Sequence, residues 1–358
     1  MGELYMVEQF KYLGWQVGLT YNCGHPGGLT YAYMYNLLDE MAAHRMNLLS
    51  IMMQSYGYFD LDHDGYCWPV QNPKLEPYRD ITAINADPKQ EFLSKIIDLA
   101  EKKGIQIELF LNWGIWNAKK CSKTYPNRRI QIDRKGKEAG WLHCPDSPDA
   151  WQQGLDEVID LLQYYHHPNV TRFAFERISY NSDSYCYCSY TADRFQHEIG
   201  KSITESTKEE LAEWKISNIH QYLRSYVKQI KIKFPKLEIG LHTLGKRGWG
   251  HDPKRFREIG IDTLEPHTIQ FKTSQKQLYA DYNHLFPNDL IAHVCARDKQ
   301  LMNYPIWKKS PRILRNVLGW LQKYSNPNLK GILFFNEPSV SVKNKKEIYT
   351  QLSNFKIL

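Results

Sequence analysis

A chain of 358 residues, 42% hydrophobic and 24% charged, can bury one large core and is too long for a minimal domain, which allows one large domain or two small ones. Its formal net charge of +7 arises from lysines and arginines interleaved with acids along the whole chain, so the footprint of a nucleic-acid binder is not expected. No run of about 18 apolar residues is present to cross a membrane, and Met1-Gly2-Glu3-Leu4 lacks the basic start and apolar centre of a signal peptide. The expectation is a soluble protein with no membrane partner, cytoplasmic as it stands and secreted if a leader has been removed.

Eight short apolar runs, each followed by a helical pattern, predict a parallel sheet with crossover helices. In chain order the strands fall at 15–22, 46–54, 105–113, 170–179, 237–245, 261–268, 290–298 and 331–339. Runs this apolar suit strands buried on both faces, and most end on a polar residue, as where a closed barrel meets solvent. Helices are predicted at 31–44, 91–102, 208–234, 253–259, 275–286, 311–324 and 343–355, and another follows Ser147-Pro148. There Leu155, Val158, Ile159 and Leu162 recur at helical spacing behind an N-cap and a first-turn proline. Lys102-Lys103-Gly104 closes the helix that begins at Glu91.

With no low-complexity linker and no shift in composition, residues 1–358 are expected to form one (β/α)8 TIM barrel. Long loops follow strands two, three and four, at 55–87, 114–146 and 180–202, and such loops on the carboxyl face usually carry function. A doubly wound open sheet would need a glycine fingerprint after the first strand. Gly24-His25-Pro26-Gly27-Gly28 has neither that spacing nor a Walker lysine.

At the carboxyl ends of the predicted strands stand Tyr21 and Asn22, Gln54, Asn112 and Trp113, Glu176, His242, Glu265 and His267, Asp298, and Glu337. Glu176 leads, because Phe173-Ala174-Phe175 brings a carboxylate out of an apolar strand at the barrel mouth. It either does acid–base work there or pairs with Arg177 or another barrel arginine. Paired carboxylates flanking a sugar are the apparatus of glycoside hydrolysis.

Glu337 is the first expected partner of Glu176 and Glu265 the second, with His267 two residues on and so on the same side of its strand. Asn336-Glu337-Pro338 resembles the Asn-Glu-Pro of many retaining glycosidases, but only about one helix of chain follows it, which puts it on strand eight. Tyr21, Gln54, Asn112, Trp113, His242, His267 and Asp298 make up the expected substrate-binding set. Asp298 can instead orient a neighbour or pair with Arg297 or Lys299. Among 10 tryptophans, Trp68, Trp113, Trp116, Trp141 and Trp249 are placed either against sugar faces or in ordinary packing.

The seven cysteines, Cys23, Cys67, Cys121, Cys144, Cys186, Cys188 and Cys295, are dispersed and read as reduced thiols. Cys186-Tyr187-Cys188 has no second pair at zinc-finger spacing and reads as a turn. Asp60-Leu61-Asp62-His63-Asp64-Gly65 opens like a calcium loop, but Gln71 occupies the position of the bidentate glutamate. Asp60, Asp62 and Asp64 are therefore expected to bind calcium weakly or not at all. No other cofactor is expected, and no catalytic metal, since His242, His267 and His293 lack the helical H-E-x-x-H spacing.

Leu142-His143-Cys144-Pro145-Asp146-Ser147-Pro148, the helix after it, Phe173-Ala174-Phe175-Glu176-Arg177-Ile178-Ser179-Tyr180, and Cys186-Tyr187-Cys188-Ser189-Tyr190 with Arg194-Phe195 together carry a family resemblance. They resemble a group of TIM-barrel glycoside hydrolases distantly similar to α-L-fucosidases. The match is specific over 141–200 and elsewhere extends only to barrel order. It implies a catalytic carboxylate at the end of the fourth strand, Glu176 here, and a nucleophile in that place favours retention. The group favours Asp then Glu where this chain has Glu176 then Arg177, and a third cysteine where this chain has Thr191.

The function expected is hydrolysis of a glycosidic bond in an oligo- or polysaccharide, with carbohydrate as partner and no oligomeric state implied. Two other readings stay open, because a barrel does not choose its chemistry. One is a metal-assisted aldolase or isomerase using His242, Glu265 or His267. The other is a carbohydrate-binding barrel without turnover.

Overall fold

The computed structural model describes residues 10–19, 29–54, 65–113, 124–176, 178–182, 184–243, 245–266, 274–299, 308–324, 326–353 and 355. Its strands are β1 (Tyr12–Gly18), β2 (Leu48–Met52), β3 (Gln106–Asn112), β4 (Ile130–Ile132), β5 (Glu138–His143), β6 (Val170–Glu176), β7 (Glu238–His242), β8 (Thr263–Leu264), β9 (Asp289–Cys295) and β10 (Leu329–Phe335). Eight of them close into a parallel barrel in the order β1-β10-β9-β8-β7-β6-β3-β2, with β2 pairing back on β1. This is the expected (β/α)8 barrel, and each predicted strand overlaps an observed one.

The last strand stops earlier than its sequence suggests. It ends at Phe335, and Glu337–Ser339 form a 3-10 turn in which the Ser339 N–H donates to the Asn336 carbonyl at 3.0 Å. Pro338 has no N–H to give to a ladder, so the chain leaves the barrel here. Glu337 is thereby past strand eight rather than on it.

β4 and β5 form an antiparallel pair in the long segment after β3, an element the sequence reading treated as loop. Its turn is built by Asp133, whose Oδ1 accepts the N–H groups of Lys135 at 2.8 Å and Lys137 at 2.9 Å. Gly136 supplies the left-handed residue, with φ 79°.

The helices are α1 (Tyr31–Ala43), α2 (Leu93–Lys102), α3 (Pro148–Tyr164), α4 (Ser189–Ile199), α5 (Lys208–Lys233), α6 (Pro253–Phe256), α7 (Gln275–His284), α8 (Pro311–Lys323) and α9 (Val342–Leu352). Of these, α4 sits in the segment after β6 that also read as loop. None of the described helices is long and apolar enough to cross a membrane. Thr30, Thr207, Ser274, Ser310 and Ser341 each cap a helix by accepting a backbone N–H. At α5 the cap is reciprocal, since Glu210 accepts the Thr207 N–H in return. Thr207→Ala is expected to cost about 1 kcal/mol in urea unfolding.

Strand residues alternate between two shells. Outward side chains such as Trp15, Ile51, Leu109, Phe173, Phe175 and Leu241 pack beneath the helices in the main core. Inward, Tyr12, Leu48, Ile291 and Leu333 close the amino end of the barrel. Met52, Phe110 and Ala174 form a smaller apolar layer nearer the mouth. The polar side chains among the other inward positions make the site.

Candidate active site

Residues four apart on a strand face the same way, so β6 points both Arg172 and Glu176 into the barrel. Arg172 is completely buried and reaches four groups. Its Nε donates to Glu108 at 2.9 Å, Nη1 to Glu238 at 2.6 Å, and Nη2 to Thr263 at 2.7 Å and Glu265 at 3.0 Å. Tyr12 offers its ring face 4.5 Å from the guanidinium and donates its hydroxyl to Glu238. One cation thus serves three carboxylates, and Glu238 also meets Lys11 at 2.7 Å. Burial and the nearby Glu265 push the Glu108 carboxyl up to about 7.

Above this layer, Asn112, Glu176 and His242 lie opposite one another at the ends of β3, β6 and β7. Glu176 is 8% exposed. Gln54 accepts the Asn112 backbone N–H at 2.7 Å, and its own Nε2, buried, has no partner among the described residues. The His242 ring stacks on Phe110 at 4.4 Å, and its Nε2 lies 2.7 Å from Glu265 Oε2. His293 reaches that oxygen at 3.2 Å.

Burial alone would raise Glu265, but His242, His293 and Arg172 hold it well below the usual carboxylate range. Burial lowers His242, yet Glu265, Glu176 and Glu108 lift it above the ordinary imidazole value. His293 falls to about 4 through burial and the charge of His242. Gly240 makes this packing possible, since a Cβ there would overlap Glu265 Oε1 and meet Ala174 at 3.1 Å. Gly240→Ala is therefore expected to displace Glu265 and lower stability by about 1–3 kcal/mol in urea unfolding.

Behind Glu176 the chain is anchored by His251, buried between Thr243 Oγ1 at 2.6 Å and the Ile178 carbonyl at 2.7 Å. Burial lowers its pKa from 6.5 to about 4. The unfolded chain then binds the extra proton first, so this residue's contribution is complete above pH 6.5 and is lost as pH falls towards 4. The expected result is that His251→Asn loses less stability than the parent across that interval, in urea midpoints compared pH by pH.

Other predicted site residues lie elsewhere. Glu337 accepts from Tyr33 of α1 and pairs with Lys345 of α9, which also binds Glu40 at 2.7 Å. These groups line a cleft of about 930 Å³ between the first and last helices, outside the barrel. Asp298 accepts the N–H and hydroxyl of Ser341 and so supports the cap of α9. Trp113 turns outward against Trp151, ring centres 4.6 Å apart, and Gly154 of α3. Trp68 is core, its indole donating to Asp160 at 2.8 Å. Tyr21, His267, Asp60, Asp62, Asp64, Arg177, Trp116 and the side chain of Trp141 lie outside the described residues.

His293, Arg172 and Glu108 belong to the site although the sequence reading gave them no role in it. Their signal was there, as Arg172 shares the face of Glu176 and Glu108 sits four residues before Asn112 in an otherwise apolar run. A second omission is Cys144, which joins Cys186 and Cys188 in a buried trio whose sulfur atoms lie within 4.8 Å of one another. Cys186 Sγ there accepts the N–H groups of Ile132 and Cys188, each at 3.4 Å. That trio and the set of His242, Glu265 and His293 are the donor groups, among the described residues, close enough to share a metal ion. In the second set Arg172 and both imidazoles already engage the carboxylate.

No protein family and no curated protein matches the sequence. Among solved structures, the glycoside hydrolase domain of PgaB (BpsB) from Bordetella bronchiseptica matches with a TM-score of 0.70 and 11% identity, over 98% of this chain and 99% of that one. A cold-adapted β-galactosidase from Rahnella sp. R3 matches at 0.63 and 12%, over 98% of this chain and 56% of that one. An exo-β-N-acetylglucosaminidase from Vibrio harveyi matches at 0.58 and 10%, over 98% and 55%. The chain thus spans the whole of the first and about half of each of the others, and at these identities the likeness establishes a shared barrel fold.

Proposed function

We propose that this chain is a glycoside hydrolase acting on an oligo- or polysaccharide at the barrel mouth, with Glu176 as the reacting carboxylate. The observation that carries the reading is the position of Glu176, at the end of the fourth barrel strand, facing inward between Asn112 and His242. That is where the resemblance places a catalytic carboxylate, and the glycosidases sharing this barrel support the reading.

Retention is the outcome we propose: Glu176 attacks the anomeric carbon as the glycosidic C–O bond breaks, the departing oxygen takes its proton from water at the open mouth, and a second water hydrolyses the glycosyl ester, giving up a proton and restoring the Glu176 carboxylate. Glu265 has no exposed side chain behind His242, which suits a holding role better than contact with sugar. Glu337, engaged by Tyr33 and Lys345, suits a role in holding the first and last helices better than that of partner acid.

The test is a screen of chromogenic glycosides, followed by proton NMR of the first-formed anomer from the best substrate. Release of the sugar with its configuration kept is expected. No turnover across the panel would remove the reading, and an inverted product would remove the covalent step. Turnover is also expected to survive a chelator. Its loss would favour metal-assisted chemistry at His242, Glu265 and His293.

A further inference from the structure

We infer that Cys144, Cys186 and Cys188, with the hydroxyl of Thr191 as a fourth donor, form a structural zinc site that ties the segment following Glu176 to the β4–β5 pair. The inference goes beyond the hydrolase reading and stands whether or not a glycoside is cleaved.

Separate pieces of chain deliver the sulfur atoms. Cys144 follows β5 directly, Cys186 lies between β6 and α4, and Cys188 is the N-cap of α4. All are buried, yet they converge. Cys188 Sγ lies 3.3 Å from Cys144 Sγ, and all three sulfurs fall within 4.8 Å of one another. Zn–S bonds of about 2.3 Å at tetrahedral angles set sulfur atoms about 3.8 Å apart, and the trio stands near that spacing.

The polar groups around the trio suit anionic sulfur. The backbone N–H groups of Ile132 and Cys188 both donate to Cys186 Sγ, each at 3.4 Å, and amide donors aimed at one sulfur favour its thiolate form. The Thr191 oxygen lies 3.1 Å from Cys144 Sγ and 3.4 Å from Cys188 Sγ, and its proton goes to Asp146 Oδ2 at 2.7 Å. That oxygen therefore faces the sulfurs as an acceptor and completes the four donor atoms that zinc takes. Asp146 also accepts from Tyr180 at 2.9 Å and from Asn218, which fixes the orientation of Thr191.

Three sulfurs and a hydroxyl leave no open position, which marks a structural ion, and sulfur donors select zinc over magnesium or calcium. Each thiol releases its proton to solvent as zinc enters. The ion would reinforce a junction that hydrogen bonds already make. Gln131 of β4 donates to the Ser179 carbonyl at 2.9 Å, and the Tyr187 N–H donates to the Ile132 carbonyl at 2.9 Å.

The experiment counts zinc in the full, reduced chain by elemental mass spectrometry, then replaces it with cobalt and reads the thiolate-to-cobalt charge-transfer band in the ultraviolet. One zinc per chain is expected, and the cobalt form is expected to show the band. Removing zinc should lower the urea midpoint of the parent, because only the folded chain gathers the donors. Cys188→Ser is expected to weaken zinc binding by about tenfold or more, and Thr191→Cys, which offers a fourth thiolate, to tighten it by about as much and strengthen the band. If the serine variant does not fold, Thr191→Cys decides the matter, and an unchanged affinity there overturns the inference. A reduced chain that takes up no zinc overturns it too. So does a stoichiometric ion without the thiolate band, which would place it at His242, Glu265 and His293, and so does a Cys144–Cys188 disulfide in peptides of the chain as isolated. Counting zinc after the chelator treatment keeps this site apart from the test of turnover.

Discussion

Glu176→Gln is expected to lower turnover of the best glycoside by about four orders of magnitude while leaving the unfolding curve close to that of the parent. The amide is nearly isosteric with the carboxylate but can neither attack an anomeric carbon nor exchange a proton. Its position explains why the fold should tolerate the change. Glu176 ends its strand at the barrel mouth, and the ion pairs that hold the interior together are made one layer below, by Arg172. KM is expected to change far less than kcat, because the interaction removed is one made in the transition state.

The opposite pattern is expected for Arg172→Met, which should cost about 3–5 kcal/mol of stability at neutral pH. The methionine fills much of the volume but leaves Glu108 and Glu265, neither exposed at all, without their shared cation. The sign with pH follows from Glu108. Its folded value, about 7, stands above its ordinary 4.5, so its burial costs nothing while both states are protonated and most once pH has risen through 7. The deficit of Arg172→Met should therefore shrink as pH falls towards 4.5, in urea midpoints for variant and parent. A variant as stable as the parent at pH 8 would show that the interior carboxylates are not balanced by this one residue.

The barrel was legible because its cause is local. Eight apolar runs alternating with helical spacing admit few architectures, and each run overlaps a barrel strand. Glu176 was legible for the same reason, as a carboxylate closing the apolar Phe173-Ala174-Phe175. What stayed hidden depends on partners far apart in sequence. Glu337 reads as a strand-end acid, yet its place is decided by Lys345 on the next helix and Tyr33 on the first, 304 residues away. Trp113 follows Asn112 by one residue, and that single step turns it from the mouth to the outer shell against Trp151. Glu265 had the right face but not the right depth, because its burial behind His242 depends on the missing side chain of Gly240. Cys144 and the Cys186-Tyr187-Cys188 turn illustrate the same limit, as 44 residues separate sulfur atoms that lie 3.3 Å apart.

The central claim is that a glycosidic bond is broken over Glu176, and the most direct measurement is a crystal structure of Glu176→Gln soaked with the best glycoside of the screen. The account predicts the sugar in the barrel mouth, with its anomeric carbon in contact with the residue-176 side chain. A glycoside seated instead in the cleft of Glu337, Tyr33 and Lys345, or in the mouth with its anomeric carbon turned away from residue 176, would contradict it.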